Sequence, residues 1–118
     1  MAERQNIKAM QFAQAAAKLA VDRHCTDIAV LDLQGTSPAT DYFVIATGTS
    51  GRQMRTVADE ISEVGRDSGF QRFGRAGYDQ GRWILLDFVD VVVHLFDGEY
   101  REYYDLELLW GDAKRIDY

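Results

Sequence analysis

Cysteine and proline are almost absent from this chain of 118 residues, with one of each. The single cysteine, Cys25, excludes an internal disulfide, and no second Cys–His pair follows His24 and Cys25 at the spacing of a zinc site. We therefore expect a partly buried structural thiol, no metal site and no cofactor. The only proline, Pro38, lies in a predicted loop over 34–40.

Long apolar runs are also missing. No segment approaches the roughly eighteen apolar residues of a membrane span, and the N-terminus lacks the apolar centre of a signal peptide. These absences predict a cytoplasmic protein from which nothing is cleaved. The length and the 47% hydrophobic content predict that residues 1–118 form a single domain.

Basic residues are outnumbered: 13 Lys and Arg stand against 19 Asp and Glu, a net charge of −6. This charge repels phosphate backbones, so we expect little direct nucleic-acid contact. Several arginines flank glycines and aromatics, which leaves RNA contact as a secondary interpretation. A basic protein partner is the natural complement.

Hydrophobic periodicity predicts the order of the elements. A narrow polar stripe beside a broad apolar face predicts a first helix from Ile7 to Asp22, followed by strands over 27–33 and 42–47. Ser50 and Gln53 fit a capping box at the start of a second helix, and Gly69 fits its left-handed C-terminal cap. A short strand is predicted over 70–73, a loop over 74–81, and a last helix over 99–110 with Tyr103, Leu106, Leu109 and Trp110 facing the sheet.

This order predicts an α/β fold, with one mixed β-sheet of about five strands packed with helices. It excludes a doubly wound nucleotide fold, because no Gly-x-Gly-x-x-Gly follows a strand.

The hairpin over 82–96 is the most informative segment. If Phe88 and Val89 form a two-residue turn, alternation places one wholly apolar set on a single face: Ile84, Leu86, Val91, Val93 and Leu95. The opposite face then mixes an aromatic and aliphatic side chains with carboxylates and an imidazole: Trp83, Leu85, Asp87, Asp90, Val92 and His94. Such a mixture is typical of a protein-binding surface.

The main alternative is a metal-dependent nucleotidyltransferase or a related nucleotide-binding protein. A glycine turn over 46–50 leads from a strand into a helix N-terminus that would suit a phosphate. That chemistry needs paired acidic residues, usually Asp-x-Asp on the next strand, and none is present. Asp87 and Asp90 are the nearest candidates, but a turn separates them. We therefore expect no enzymatic activity.

His94 and Tyr104 are two individual candidates for the site. His94 has the intrinsic pKa of a general base, but no serine or cysteine is recognisably placed beside it, so a surface or interface imidazole is favoured. The tyrosines of the last helix are first of all packing residues. Tyr104 is the exception, because it leans to the edge of the inward stripe and could reach a partner.

Four ordered motifs resemble the Iojap-like family of ribosomal silencing factors, and the match runs from about Ile7 to Ala113. The motifs are TDYFVIATGTS over 40–50, WILLD over 83–87, DVVVH over 90–94 and YDLELLW over 104–110. The resemblance implies a nucleotidyltransferase-like fold without the catalytic acids. One departure is Val89, where the family usually has glycine.

The resemblance also implies a function. Such a factor docks on a ribosomal protein of the large subunit, blocks joining of the small subunit, and lowers translation when nutrients are short. On this reading Trp83, Leu85 and Val92 form the dry centre of the contact, and Asp87 and Asp90 pair with basic residues at its edge. A homodimer using the same hairpin face stays open as a third class.

Overall fold

The computed structural model describes residues 7–103 and 111–118. In this part of the chain the elements follow the order α1 (Ile7–Asp22), β1 (Thr26–Asp32), β2 (Tyr42–Thr47), α2 (Gly51–Asp67), β3 (Gly74–Ala76), β4 (Trp83–Asp87), β5 (Val91–Phe96), α3 (Gly98–Tyr103) and β6 (Lys114–Arg115). The predicted α/β class is confirmed. No helix among the described residues is both long and apolar enough to cross a membrane.

The described strands form one mixed sheet in the order β3-β4-β5-β2-β1-β6. Neighbouring strands run antiparallel except β2 and β5, which pair in parallel with Val44 opposite Val93. Two antiparallel groups therefore meet along the β2–β5 pair at the centre of the sheet.

Helices α1 and α2 cover one face of this sheet. The buried stripe of α1 consists mainly of small side chains, which lets the helix axis approach the strands closely: Ala9, Phe12, Ala13, Ala16, Ala17 and Ala20. Cys25 follows α1 and is 7% exposed, and burial raises the pKa of its thiol. The Cys25 thiol is therefore more deeply buried than the partly buried thiol expected from the sequence.

Both predicted caps of α2 are present. The Ser50 hydroxyl accepts the Gln53 amide at 3.1 Å, while the Gln53 side-chain oxygen accepts the Thr49 amide at 2.8 Å. At the other end Gly69 has φ +89°, and the Phe70 amide donates to the Gly65 carbonyl at 2.7 Å. These bonds satisfy backbone groups that a helix end otherwise leaves unpaired.

The strand predicted over 70–73 is wrong, and β3 lies within the predicted loop at Gly74–Ala76. The reason is that Phe70 completes the C-terminal cap of α2. Its ring stacks on that of Phe12, with ring centres 5.2 Å apart. The chain reaches the sheet only at Phe73, whose amide donates to the Asp87 carbonyl at 2.6 Å.

The C-terminal part of the sequence holds two further differences. Strand β6 was not predicted, because its two exposed residues carry no hydrophobic periodicity and pair through the backbone with Leu31 and Asp32. Helix α3 begins at Gly98, one residue before the predicted start, and the part of the prediction that covers 104–110 lies outside the described residues. Tyr103, expected to face the sheet, is 79% exposed, whereas Tyr100 packs against the core.

Candidate functional site

The β4–β5 hairpin divides its side chains between the two faces of the sheet as predicted. Ile84 pairs with Leu95 and Leu86 with Val93, and all four side chains are fully buried in the core shared with α1 and α2. Val91 joins them. The apolar face predicted from alternation is therefore confirmed.

The turn itself lies one residue later than predicted. The Phe88 amide donates to the Val91 carbonyl at 2.9 Å, so Val89 and Asp90 connect the strands. Phe88 stays paired because its ring is buried, edge-on to Phe12 at 4.8 Å. Moving the turn by one residue changes each pairing by two positions, which leaves every side chain of β4 and β5 on its predicted face. Asp90, predicted on the mixed face, lies in the turn instead.

The side of the sheet opposite α1 and α2, hereafter the outer face, carries the predicted binding residues on three cross-strand rows. The rows are Asp87–Val92–Phe43, Leu85–His94–Ile45 and Trp83–Phe96–Thr47. Trp83, Leu85, Val92 and Phe43 are half-buried and lie around His94. These apolar side chains therefore retain surface that a partner can bury.

Phe43 was missed as a site residue. Its place on the outer face follows from parallel pairing between β2 and β5, which puts it opposite Val92. Alternation within 42–47 gave the right signal, because Tyr42 and Val44 face the helices. Alternation alone did not show which strand lies beside Phe43.

The prediction that His94 is a surface imidazole needs correction, because its side chain is only 5% exposed. The Phe43 ring meets it edge-on at 4.7 Å, and the Phe96 ring lies parallel at 6.1 Å. Large neighbours on the adjacent strand β2 and on β5 itself thus cover the imidazole. A role for His94 in partner binding remains a prediction.

The protonation state of His94 follows from its contact with Trp83. The indole Nε1–H donates to His94 Nδ1 at 3.1 Å, and an indole nitrogen can only donate. Nδ1 is therefore unprotonated, and the neutral ring carries its proton on Nε2. Burial lowers the pKa of His94 to about 4, which keeps this neutral form at physiological pH. Among the described residues, Nε2 is buried without a hydrogen-bond partner.

The two predicted carboxylates lie at the turn end of the outer face. Asp87 Oδ1 accepts the Val89 amide at 2.8 Å, so this side chain also holds the turn. The Asp90 carbonyl accepts the amides of Asp41 and Tyr42, both at 3.0 Å, and ties the turn to the start of β2. A third carboxylate, that of Asp41, is thereby brought to the same end.

The other end of β4 is joined to the start of α3. Arg82 donates to Asp97 and to Glu99, both at 2.6 Å, and its guanidinium lies 4.4 Å from the centre of the Tyr100 ring. Burial opposes ionisation of Asp97, but the Tyr100 amide and Arg82 outweigh it and lower the pKa of this carboxyl. Tyr104, the remaining predicted contact, lies outside the described residues.

The glycine turn over 46–50, considered above as a nucleotide site, forms the N-terminal cap of α2. The Ser50 hydroxyl accepts the Gln53 amide in the first turn of α2. The Gln53 side chain accepts the Thr49 amide just before the helix and donates to the Arg23 carbonyl at 2.7 Å. A side chain at Gly48 would collide with Met54. Within residues 7–103 and 111–118, no three His, Cys, Asp or Glu side chains are grouped to hold a metal ion.

The fold and this face define a small α/β protein with a helix-covered core on one side of a mixed sheet. On the other side, a smaller buried cluster around Ile45 and Phe96 borders the half-buried apolar and acidic side chains of the hairpin. Residues 6–118 match the family described as "Ribosomal silencing factor during starvation", and the chain belongs to this family. The Iojap-like resemblance is thus confirmed.

Relatives and solved structures agree with this membership. The ribosomal silencing factor of Bacillus subtilis is 44% identical over 96 residues, 81% of each chain. Maize chloroplastic Iojap is 33% identical over 108 residues, which are 92% of this chain and 47% of that protein. A crystal structure of a Chromobacterium violaceum protein superposes with a TM-score of 0.81 at 32% identity, covering 86% of this chain and 85% of that one.

Proposed function

We propose that this protein binds the large ribosomal subunit through a basic ribosomal protein at the intersubunit face. Bound there, it blocks association of the small subunit and represses translation under nutrient limitation. Membership of the silencing-factor family supports the ribosomal part of the proposal. The outer face of the sheet supports the docking part.

The observation that carries the docking proposal is the group of half-buried apolar side chains around His94. Leu85 and Val92 lie on adjacent strands, with Trp83 and Phe43 to either side. Aromatic and branched aliphatic side chains at the centre of a contact contribute most when a partner removes their remaining surface from water.

Charge favours a basic partner. The backbones of Asp41 and Asp90 are hydrogen-bonded to each other at the turn end of the outer face, close to Asp87 in the same turn. The whole chain carries a net charge of −6. Carboxylates at the edge of an apolar contact steer and orient a basic protein surface while they repel the phosphates of nearby RNA.

The proposed effect is steric and requires no covalent chemistry. The smallest dimension of the molecule is 23 Å. A body of that thickness on the intersubunit face of the large subunit prevents direct contact with the small subunit. Silencing then requires only binding, and it is reversed by dissociation.

Co-sedimentation with separated ribosomal subunits tests the proposal directly. We expect binding to large subunits, none to small subunits, and reduced formation of joined ribosomes in a gradient assay. Equal binding to both subunits, or full joining at saturating protein, would overturn the proposal. Sedimentation of the free protein at the same concentrations shows whether a homodimer competes for the outer face.

A pair of leucine variants tests the docking face. Leu85 lies half-buried on the outer face, and Leu19 lies half-buried on α1 at the other side of the sheet. We expect Leu85→Ala to weaken binding to the large subunit about tenfold, and Leu19→Ala to leave binding unchanged when both variants are folded. Equal effects of the two changes would place the docking surface elsewhere.

A further inference from the structure

Trp83 and His94 form a side-chain pair that crosses from β4 to β5 on the outer face. Residue 83 pairs with Phe96 in the strand register, yet its indole nitrogen reaches back to His94 Nδ1 at 3.1 Å. The indole plane also stacks on Phe96, with ring centres 4.9 Å apart and 30° between the planes. Among the contacts that hold the ring are thus one stacking contact and one directional bond.

The two contacts constrain different motions. Stacking on Phe96 holds the plane of the indole but lets the ring slide and rotate within that plane, because such contacts have little directionality. A hydrogen bond to a fixed acceptor removes this freedom, since its strength falls steeply with angle. His94 is a fixed acceptor, being 5% exposed and in edge-on contact with Phe43.

We propose that His94 is a positioning residue, which orients the Trp83 indole before the partner arrives and need not touch the partner itself. This inference rests on the proposed docking function of the outer face. A preoriented anchor loses less conformational freedom on binding than one that the partner must order. His94 therefore contributes to affinity through Trp83.

Two substitutions of His94 separate its two nitrogens. Asparagine places its side-chain oxygen two bonds from Cβ, where Nδ1 lies, and keeps an acceptor for the indole. Glutamine places its polar atoms one bond further out, near the position of Nε2. Both changes remove the ring and introduce an amide, so they are matched in their general cost to packing.

Large-subunit binding by these variants tests the inference, with thermal melting to establish that each is folded. We expect His94→Asn to bind within about twofold of the wild type, and His94→Gln to bind about fivefold more weakly, as for one lost hydrogen bond. Equal affinities of the two variants, or tighter binding by His94→Gln, would overturn the inference. The second result would point to a direct contact through Nε2.

A readout without ribosomes keeps the inference separate from the proposed function. In a ¹⁵N correlation spectrum, the indole signal lost in Trp83→Phe identifies the Nε1–H of Trp83. We expect this proton to be protected from solvent exchange in the wild type and in His94→Asn, and to exchange at least about tenfold faster in His94→Gln. Unchanged exchange in His94→Gln would refute the positioning role even if the wild type bound large subunits. Failure of the wild type to bind, with exchange as expected, would refute only docking.

Discussion

The carboxylate of Asp87 accepts the backbone amide of Val89 at 2.8 Å, within the turn that connects β4 and β5. The next amide, that of Asp90, donates to the Phe88 carbonyl at 2.9 Å, which closes a three-residue γ-turn centred on Val89. Val89 has φ +74° and is 52% exposed. A β-branched residue resists this backbone conformation, so the turn is strained at Val89.

Val89→Gly should therefore stabilise the protein. Relief of backbone strain exceeds the entropy that glycine adds to the unfolded chain, and we expect a gain of about 1 kcal/mol in the free energy of unfolding. Denaturant unfolding measures it. Gly35 is the mirror control, with φ +80° and open space around it, so Gly35→Ala should lose a similar amount. A loss of stability in Val89→Gly would show that the Val89 side chain contributes packing that outweighs the strain.

His94 should make stability depend on pH. Its pKa falls from 6.5 to about 4 on folding because burial disfavours the charged ring. Above pH 6.5 neither the folded nor the unfolded state binds the proton, and His94 makes its full contribution to stability. Between pH 6.5 and 4 only the unfolded state binds the proton. Lowering the pH through this range therefore reduces the free energy of unfolding by roughly 3 kcal/mol in total.

Comparison with His94→Phe isolates this contribution from that of the carboxylates. Phenylalanine preserves an aromatic ring against Phe43 and does not titrate. We expect the difference in unfolding free energy between the wild type and this variant to change across pH 4–6.5 and to stay constant above it. Parallel curves over the whole range would contradict neutral burial of His94.

Ser50→Ala should lower stability by about 1 kcal/mol, because the first turn of α2 loses the acceptor for the Gln53 amide. Ser50→Asp, which retains a capping oxygen, should recover most of the loss. Adding Mg²⁺ and ATP should not change the melting temperature of the wild type or of either variant. A saturable, Mg²⁺-dependent rise in melting temperature that Ser50→Ala abolishes would instead favour the nucleotide-binding alternative.

Gly65 should not tolerate alanine, although alanine is the better helix former. A Cβ there would lie 2.8 Å from the Phe70 carbonyl oxygen and 2.9 Å from the rings of Phe12 and Phe88. We expect Gly65→Ala to cost roughly 1–3 kcal/mol, since backbone and packed rings cannot yield cheaply. Gly98→Ala is the control, because a Cβ at this position of α3 meets nothing within 4 Å. Equal melting temperatures for the two variants would contradict this packing.

Alternation along β4 and β5 predicted the two faces of the hairpin even though the turn was misplaced by one residue. The face of a strand residue depends only on whether its position is odd or even, and the burial of Ile84 and Val93 follows from this. The turn depends instead on a tertiary contact, the burial of Phe88 against Phe12, which local sequence does not encode.

The enclosure of His94 could not be predicted for a related reason. It depends on Phe43, which approaches only because β2 and β5 pair in parallel. Strand β6 is a further case, since the Lys114–Arg115 pairing uses backbone groups and leaves no pattern in the side chains. The caps of α2 could be predicted, because the hydrogen bonds at Ser50 and around Gly69 join residues only a few positions apart in the sequence.

The parallel β2–β5 pair has a consequence for the order of folding. The β4–β5 hairpin pairs residues that are close in sequence. Tyr42 and Val91, which pair between β2 and β5, are separated in the sequence by α2, β3 and β4. Hairpins form within microseconds, but distant pairings must first overcome the entropy of loop closure. We expect folding to be limited by the docking of two preformed antiparallel halves, and substitutions at Val44 or Val93 to slow refolding more than those within the hairpin turn.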